Sequence, residues 1–528
     1  MKNKTFFKGA IILIVFNLIG KVIGAIYRIP LAGILGSKGM GQYQLVFPLY
    51  CLILTVSTSG IPVAISKMVA EFNVQKRYTD SKKLLYISIF LLSLVSLLGF
   101  LFVISFSKII ANFQGNSDCY ICYYGIAPAI LFVGVISAFR GYFQGNLNML
   151  PTALSNFLEQ IFKMVFGLTL SKYLLPLGVT YAVFGALIGI SLSEFVSFIF
   201  LIIYYLFYSK RFKLLKNSNE LSYKKLSKNL INLSVPITLG GLISPLTSMV
   251  DSLIVVNLLI LTGLSSSSAT SMLGIQAGVV EPLINLPTVI AISLSTALLP
   301  NISGLSASGN KEKIVELIRK SVQICLSISI AFAICYIIFG SQILNFLYGK
   351  SLLNSEIVLS TKLLFLSCIN IIFLALVQVF AGILQGLGEA KFTVKSLLIG
   401  CVIKTVLETI LVSLRVVNIY GVVISAGVCY FVIFTLNYSK VKKVVEFKLS
   451  EIYSSVILQE CIVCIVAFLA NFAFKLIFSE LTSMLFAGSI SVLAFAVTYY
   501  LFFMMNKDNI LSEDTYKKTW KIYLFLLK

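Results

Sequence analysis

Apolar runs of about 18 or more residues recur along the whole chain, and each is long enough to cross the ~30 Å hydrocarbon core of a membrane as a helix. The 528 residues are 58% hydrophobic and only 12% charged. No stretch is long and polar enough for a separate soluble domain. The pattern predicts an all-α, polytopic membrane protein.

Hydropathy predicts about fourteen membrane spans, numbered here in chain order. Their approximate limits are 9–33, 42–66, 84–107, 119–139, 150–175, 178–207, 230–257, 273–302, 321–346, 357–383, 392–414, 419–438, 454–478 and 483–505.

The formal net charge of +22 comes from the loops on one side of the predicted spans. The opposite loops hold only six of the 42 basic residues: Lys38, Lys108, Lys172, Lys350, Arg415 and Lys475. Lys and Arg accumulate in cytoplasmic loops of membrane proteins, and they attract anionic lipid heads. The asymmetry predicts a plasma-membrane protein with both termini in the cytoplasm, and it explains the basic charge without nucleic acid.

The chain carries an internal duplication. The motif F-x-G-x-x-Q-G occurs as FRGYFQG at 139–145 and as FAGILQG at 380–386. When the two copies are aligned, Lys163 falls opposite Lys404 without a gap, and upstream Pro48 matches Pro282 at a similar offset. Each half has six spans, and an even number of spans gives both halves the same orientation in the membrane. We therefore expect parallel repeats related by an axis along the membrane normal.

This duplication predicts the domain organisation. An N-lobe (1–208) holds spans 1–6, a cytoplasmic linker covers 209–229, and a C-lobe (230–440) holds spans 7–12. Spans 13 and 14 and a cytoplasmic tail follow at 441–528. In parallel-repeat transporters the substrate path lies between the two halves.

The repeated motif itself is predicted to form a tight cytoplasmic turn between spans 4 and 5 and between spans 10 and 11. Glycine permits close backbone approach, and the glutamine amides can bond freed backbone groups. The gating or turn residues are Gly141, Gln144, Gly145, Gly382, Gln385 and Gly386.

We single out ten charged residues within the predicted spans, because a charge at the bilayer centre costs about 2.5–3.5 kcal/mol. The basic ones are Lys21, Arg28, Lys163, Lys362 and Lys404. The acidic ones are Glu159, Glu194, Asp251, Glu281 and Glu408. Glu159 and Lys163 have the i,i+4 spacing of neighbours on one helix face, and so do Lys404 and Glu408. Mutual neutralisation is one interpretation of these pairs.

A binding site is the other interpretation. The repeat places Lys163 and Lys404 on opposite walls of a shared cavity, and Lys21 and Arg28 lie two turns apart on span 1. Four such cations suit a phosphate or pyrophosphate. The carboxylates Glu159, Asp251, Glu281 and Glu408 would balance this charge or bind a coupling ion, Na⁺ or H⁺.

Motifs for ATP hydrolysis and metal catalysis are missing from the sequence. The GKS at 349–351 lacks the earlier glycine of a phosphate-binding loop, because Leu344 stands in its place. There is no histidine. We therefore expect a transporter without its own ATPase, rather than an enzyme, with no cofactor beyond a coupling ion or the membrane potential.

The ten cysteines include a C-x-x-C at Cys119 and Cys122. Free cysteine is often simply buried as a small apolar residue, which is the favoured interpretation. A redox pair on the outer face is the alternative.

Three segments carry a resemblance to a known family: KVIGAIYRIPLAGILGSKGMGQYQLVFPLY, GIPVAISKMVAEF and FRGYFQGNLNMLPTALSNFLEQ. They closely resemble the stage V sporulation protein B branch of polysaccharide exporters. That branch is similar to the MurJ lipid II flippases of the multidrug/oligosaccharidyl-lipid/polysaccharide superfamily. The resemblance implies fourteen helices in two lobes, with the last two helices forming a lipid-binding groove. It also implies that Lys21 and Arg28 match essential cations of helix 1.

The function that this resemblance implies is the flipping of an undecaprenyl-pyrophosphate-linked cell-wall or polysaccharide precursor, such as lipid II, to the outer leaflet. Its partners would be the lipid-linked saccharide, membrane lipids and cell-wall synthesis enzymes. Two alternatives stay open. A cation-coupled multidrug exporter of the same fold would have an acidic cavity, and a non-transporting scaffold for wall-synthesis enzymes would not need the intramembrane charges.

Overall fold

A computed structural model describes residues 2–209, 222–307, 310–447, 450–475 and 480–505. The structure is 92% helical, and the described ranges contain no β-strand. The predicted all-α class is therefore confirmed. Nine of the described helical segments are individually long and apolar enough to cross a membrane.

The first half of the chain contains six helices. They are α1 (Lys2–Thr58), α2 (Gly60–Val74), α3 (Tyr78–Phe113), α4 (Tyr120–Gly145), α5 (Leu150–Leu174) and α6 (Val179–Ser209). The second half contains the remaining helices and a π-helical segment. They are α7 (Tyr223–Gly241), α8 (Ile243–Leu261), α9 (Ser266–Leu273), the π segment (Gly274–Val280), α10 (Glu281–Ala307), α11 (Lys311–Tyr348), α12 (Asn354–Gly386), α13 (Ala390–Ser413), α14 (Tyr420–Val445), α15 (Ser450–Lys475) and α16 (Glu480–Met505).

Local breaks explain how these elements make fourteen spans. Gly36 has φ 64° and ψ −175°, a conformation that glycine adopts readily, and it divides α1 into a first limb (2–35) and a second limb (37–58). The second limb continues through Ser59 into α2 as the second span. Leu242 separates α7 from α8 in the seventh span, and the π segment joins α9 to α10 in the eighth.

The helices pack as two bundles and a pair. The N-bundle contains α1–α6, and the C-bundle contains α8–α14 with the π segment. Helices α15 and α16 pack on each other and against α11. The predicted fold class, two parallel six-helix repeats plus a C-terminal pair, is confirmed.

Helix α7 belongs by contact to the N-bundle. It begins at Tyr223, inside the segment predicted as a linker, and packs against α2 and α3. Leu226 and Leu230 are buried there, in the same apolar cluster as Leu84. Residues 210–221 of the predicted linker lie outside the described residues.

Among the described residues, the buried core joins the two bundles at one end. At the far end, which holds the connections at 114–119 and 349–353, one apolar cluster includes residues of both bundles, among them Leu45 and Val279. At the near end, which holds the connections at 75–77 and 387–389, the bundles have separate cores around Phe143 and Phe380. The space between the bundles is therefore closed at the far end.

The duplicated motif does not form the turn that the sequence predicts. Its residues lie in the last turns of α4 and α12, and the helices end at Gly145 and Gly386. A Cβ at Gly141 or Gly145 would collide with α2, and one at Gly382 or Gly386 would collide with α10. The glycines therefore let two helices approach closely, as small residues four apart do in membranes.

The two glutamines of the motif do not fulfil the predicted role either. The side chains of Gln144 and Gln385 make no hydrogen bond with another described residue, and Gln385 is exposed.

Candidate functional site

The C-bundle holds a buried charge cluster around Lys404 on α13. Its Nζ donates to Oδ2 of Asp251 on α8 and lies 3.6 Å from Oε2 of Glu408, one turn along α13. The side chains of Lys404 and Glu408 are 12% and 0% exposed. The i,i+4 pair is therefore present, and Asp251 adds a second carboxylate.

Lys163 on α5, its counterpart in the repeat, has different surroundings. Its Nζ lies 5.3 Å from the ring centre of Phe47 and 5.8 Å from that of Tyr27. Among the described residues, no carboxylate oxygen lies within ion-pair distance of Lys163. The predicted pair with Glu159 is not formed, and the ammonium instead makes cation–π contacts.

Arg140 on α4 explains why this pair is absent. Its Nη2 donates to Oε2 of Glu159 at 3.0 Å, and its Nε donates to Oγ of Ser155 at 3.0 Å. Arg140 is not among the predicted site residues. The signal was present in the duplicated motif, because the second copy has Ala381 at the matching position.

Glu194 on α6 is a further buried carboxylate that is not among the predicted site residues. It is 3% exposed and accepts a hydrogen bond of 3.1 Å from the hydroxyl of Tyr50. Lys163 and Glu159 lie within electrostatic range of it. The N-bundle therefore holds two carboxylates and two cations close together.

Arg28 connects the charges of the two bundles. It lies on the first limb of α1, within electrostatic range of Lys163 in the N-bundle and of Glu281 in the C-bundle. Glu281 begins α10 directly after the π segment and also interacts with Lys404 and Asp251. The side chain of Lys21 lies outside the described residues.

The resulting site is balanced rather than predominantly basic. The described cations are Arg28, Arg140, Lys163 and Lys404. The described carboxylates are Glu159, Glu194, Asp251, Glu281 and Glu408. Ion pairs hold Arg140 and Lys404, whereas Lys163 and Arg28 have no described carboxylate within ion-pair distance. Three of the four predicted cations have described side chains, and two of these, Arg28 and Lys163, can accept an anion without first losing an ion-pair partner.

Polar contacts close the far end of the space above these charges. Ser37 donates to Glu356 on α12, and Asn116 donates to the Thr270 hydroxyl at 2.9 Å. Gln44 donates to the backbone carbonyl of Ala277 in the π segment, whose shifted hydrogen-bond pattern frees backbone groups. These contacts connect the N-bundle to the C-bundle, so they must break if the far end opens.

Backbone contacts make this closure tight. A Cβ at Gly41 would collide with the carbonyl of Thr270, and one at Gly274 would collide with the carbonyl of Ser37. The second limb of α1 therefore touches α9 and the π segment without intervening side chains. Backbone contacts this close hold the second limb of α1 against α9 and the π segment in one well-defined arrangement.

Cys119 and Cys122 are buried free thiols. The Cys122 Sγ lies 3.6 Å from the carbonyl of Thr180 and donates to it. This packing accords with small apolar residues at a helix junction. Among the described residues, no three potential metal ligands of the His, Cys, Asp or Glu type cluster together.

Two helical bundles that enclose buried charges define a multi-pass membrane transporter of the flippase or exporter class. The chain belongs to the polysaccharide biosynthesis protein family, which it matches over residues 6–306. It also matches the MatE family over residues 236–410. These assignments place it in the multidrug/oligosaccharidyl-lipid/polysaccharide superfamily.

Two curated relatives from Bacillus subtilis (strain 168) are similar over most of their length. Stage V sporulation protein B is 28% identical over 453 residues, which cover 84% of this chain and 85% of the relative. Lipid II flippase MurJ is 28% identical over 459 residues, which cover 83% of this chain and 82% of the relative.

A solved structure of lipid II flippase MurJ in an inward closed conformation has the same fold. It superposes with a TM-score of 0.72 and covers 94% of this chain and 99% of its own, at 15% sequence identity. The helix order and the two-bundle arrangement are therefore those of a known transporter fold.

Proposed function

We propose that the protein moves an undecaprenyl-pyrophosphate-linked saccharide from the cytoplasmic to the outer leaflet by alternating access. Membership of the polysaccharide biosynthesis family supports a substrate of this class. The observation that carries the proposal is the environment of Lys163: a partly buried ammonium within electrostatic range of Arg28, with aromatic faces and no described carboxylate in ion-pair contact.

An anionic head group suits this environment because it would supply the missing counter-charge. A pyrophosphate offers several oxygens to Lys163 and Arg28, and charge-assisted hydrogen bonds of this kind are among the strongest in proteins. Lys404 already contacts two carboxylates, so it could bind the head group only after one of these contacts is replaced. We therefore assign the first contact with the head group to the N-bundle side and to α1.

The transport cycle follows from the asymmetry between the two ends. With the near end in the cytoplasm, the head group would enter between the separate near-end cores and meet Lys163 and Arg28. Rocking of the bundles would then break the contacts of Ser37 and Gln44 and open the far end. The lipid chain would stay in the bilayer while the saccharide crosses.

Charge balance gives the carboxylates a role in the cycle. When the pyrophosphate is absent, Glu281 lies within electrostatic range of Arg28, and Asp251 and Glu408 pair with Lys404. The latter pair carries one negative charge more than Lys404 neutralises. A proton or Na⁺ bound there, or the membrane potential acting on the excess charge, would couple transport to an energy source.

A cation-coupled drug exporter is the second candidate. The match to the MatE family and the five carboxylates against four described cations favour it. A cationic drug would be drawn to the carboxylates and repelled by Lys163. The two candidates therefore predict opposite effects when Lys163 is neutralised.

The test is flipping in proteoliposomes of a fluorescent undecaprenyl-pyrophosphoryl disaccharide, with a membrane-impermeant quencher reporting the leaflet. Lys163→Gln should lower the initial rate about tenfold or more, because a hydrogen bond to a charged group is worth about 1.5–3 kcal/mol. Lys362→Gln is the matched control, since Lys362 is an exposed lysine on α12. Its rate should equal that of the wild type.

Equal rates in all three proteins would retain the flippase and remove Lys163 from the site. A wild-type protein that moves a cationic dye but not the glycan, with Lys163→Gln moving the dye faster, would establish the drug exporter instead. If the folded wild-type protein moves neither substrate, the transport proposal is wrong and the scaffold remains.

A further inference from the structure

An apolar groove of about 510 Å³ lies at the seam between the two bundles. Its walls are α3 of the N-bundle and α8 of the C-bundle, and its floor is the second limb of α1. The apolar lining includes Leu49, Phe102, Ile110, Leu253, Ile254 and Leu258. This groove is separate from the charged site and has no part in the transport cycle described above.

Hydrogen bonds close the groove at its far end. At the far end, Asn257 donates to the carbonyl of Phe113, and Gln114 donates to the Ser252 hydroxyl at 3.3 Å, so α3 and α8 are tied together. The opening faces sideways, where Phe113 is 70% exposed. Because α3 and α8 lie in membrane spans, this mouth opens into hydrocarbon.

The described lining of the groove has no free hydrogen-bond donor for a phosphate head group. Asn257 is its one polar lining residue, and both donated bonds of its amide go to backbone carbonyls, those of Phe113 and Leu253. An occupant must therefore be bound by apolar contact alone. The volume lies within the ~300–1,000 Å³ range of small-molecule sites. If the groove were empty, the side chains that line it would lose dispersion contacts.

The second limb of α1 separates the groove from the charged site. Leu49 forms part of the groove floor, whereas Phe47 contacts Lys163 and Tyr50 bonds Glu194. A chain in the groove therefore does not continue from a head group bound at Lys163. This separation favours a lipid of the surrounding bilayer over the polyprenyl chain of a transported substrate.

We propose that the groove holds one acyl chain of a bilayer phospholipid, wedged between α3 and α8. The chain contacts both bundles at once, so it stabilises the arrangement in which the far end is closed. It must leave or shift when the bundles separate there. The occupied groove is then a lipid-sensitive element of the seam, independent of which substrate is moved.

The proposal is tested with the full-length protein in nanodiscs that contain phosphatidylglycerol bearing a photoactivatable group in one acyl chain. Cross-linked peptides are identified by mass spectrometry. We expect wild-type adducts to concentrate on the groove faces of α3 and α8. Leu253→Trp, which fills the groove, should lower these adducts about tenfold, equivalent to ~1.4 kcal/mol.

Leu261→Trp is the matched control, because Leu261 lies on the same helix, is 76% exposed and does not line the groove. It should leave the adducts unchanged. Ile254→Trp provides a second filling variant if Leu253→Trp fails to fold. Adducts spread evenly over all lipid-facing helices, or equal in the filled and wild-type proteins, would overturn the proposal. So would labelling of the groove by a photoactivatable polyprenyl phosphate but not by the phospholipid.

Discussion

Lys163 and Lys404 occupy matching positions in the two repeats, but of these two lysines Lys404 alone contacts described carboxylates. Lys404 lies between Asp251 and Glu408, whereas Lys163 lies against two aromatic rings. The carboxylate on the same helix precedes Lys163 by four residues but follows Lys404 by four. In the N-bundle that carboxylate, Glu159, is held by Arg140.

The difference shows that equivalent residues of a duplicated bundle can have different roles. Position along the helix is kept, and with it the partial burial of the lysine side chain. The neighbours decide whether the charge is structural or can receive a ligand. We infer that Lys404 holds α8 and α13 together, while Lys163 binds substrate. Four substitutions test this division, beginning with the largest expected effect.

Lys404→Met should destabilise the protein strongly. It leaves Asp251 and Glu408 as buried carboxylates without their cation, and breaking a buried pair in this way costs about 3–5 kcal/mol. Thermal unfolding of the purified protein measures the change. The same substitution at Lys163 should cost far less, and a larger loss there than at Lys404 would reverse the comparison. Adding Asp251→Asn to Lys404→Met should restore part of the stability.

Arg140→Ala should convert Lys163 into a paired lysine like Lys404. Glu159 loses its Arg140 partner and can then pair with Lys163 at i,i+4 on α5. We expect the flipping rate to fall about tenfold, equivalent to ~1.4 kcal/mol, while the protein remains folded. Adding Glu159→Gln should restore transport, because it removes the competing carboxylate. A double variant as slow as the single one would show that Arg140 acts by another route.

Phe47→Leu should weaken the site at Lys163 without affecting Lys404. A cation–π contact is worth about 0.5–2 kcal/mol, so the flipping rate per folded molecule should drop by severalfold. Phe47→Tyr keeps the ring face and is the control. If Phe47→Leu flips the glycan at the wild-type rate, the aromatic contact plays no part in holding the ammonium.

Tyr27→Phe should have the smallest effect. The ring that faces Lys163 is kept, and the buried hydroxyl makes no hydrogen bond in the described structure. Removing a buried polar group that lacks a partner is neutral or slightly stabilising. Stability and flipping should therefore both stay near wild type. A clear loss of transport would indicate that the hydroxyl contacts the substrate.

The fourteen spans and the duplication were predictable because their signals are local. Apolar runs of membrane length identify helices, and a shared motif with Lys163 opposite Lys404 identifies the repeat. The partner of Glu159 was not predictable in the same way. Lys163 lies one turn away on the same helix, but Arg140 comes from another helix, and only the packing of α4 on α5 decides between them.

The turn assignment was wrong for a related reason. Glycine suits both a tight turn and a close helix crossing. The spacing of Gly141 and Gly145, repeated at Gly382 and Gly386, is that of small residues on one helix face, which pointed to the crossing. Asp251 was predicted as a balancing charge. Its contact with Lys404 depends on α8 meeting α13, and no local pattern indicates that contact.

The π segment at Gly274–Val280 sets the direction in which the rest of the eighth span faces. Its i→i+5 hydrogen bonds place more residues in each turn than an α-helix has, so this segment shifts which side chains of α10 point into the bundle. Glu281 follows the segment directly and is the first side chain whose direction it sets. The seven residues of this segment therefore act as an angular spacer, which positions a membrane charge through the backbone rather than through a side-chain contact.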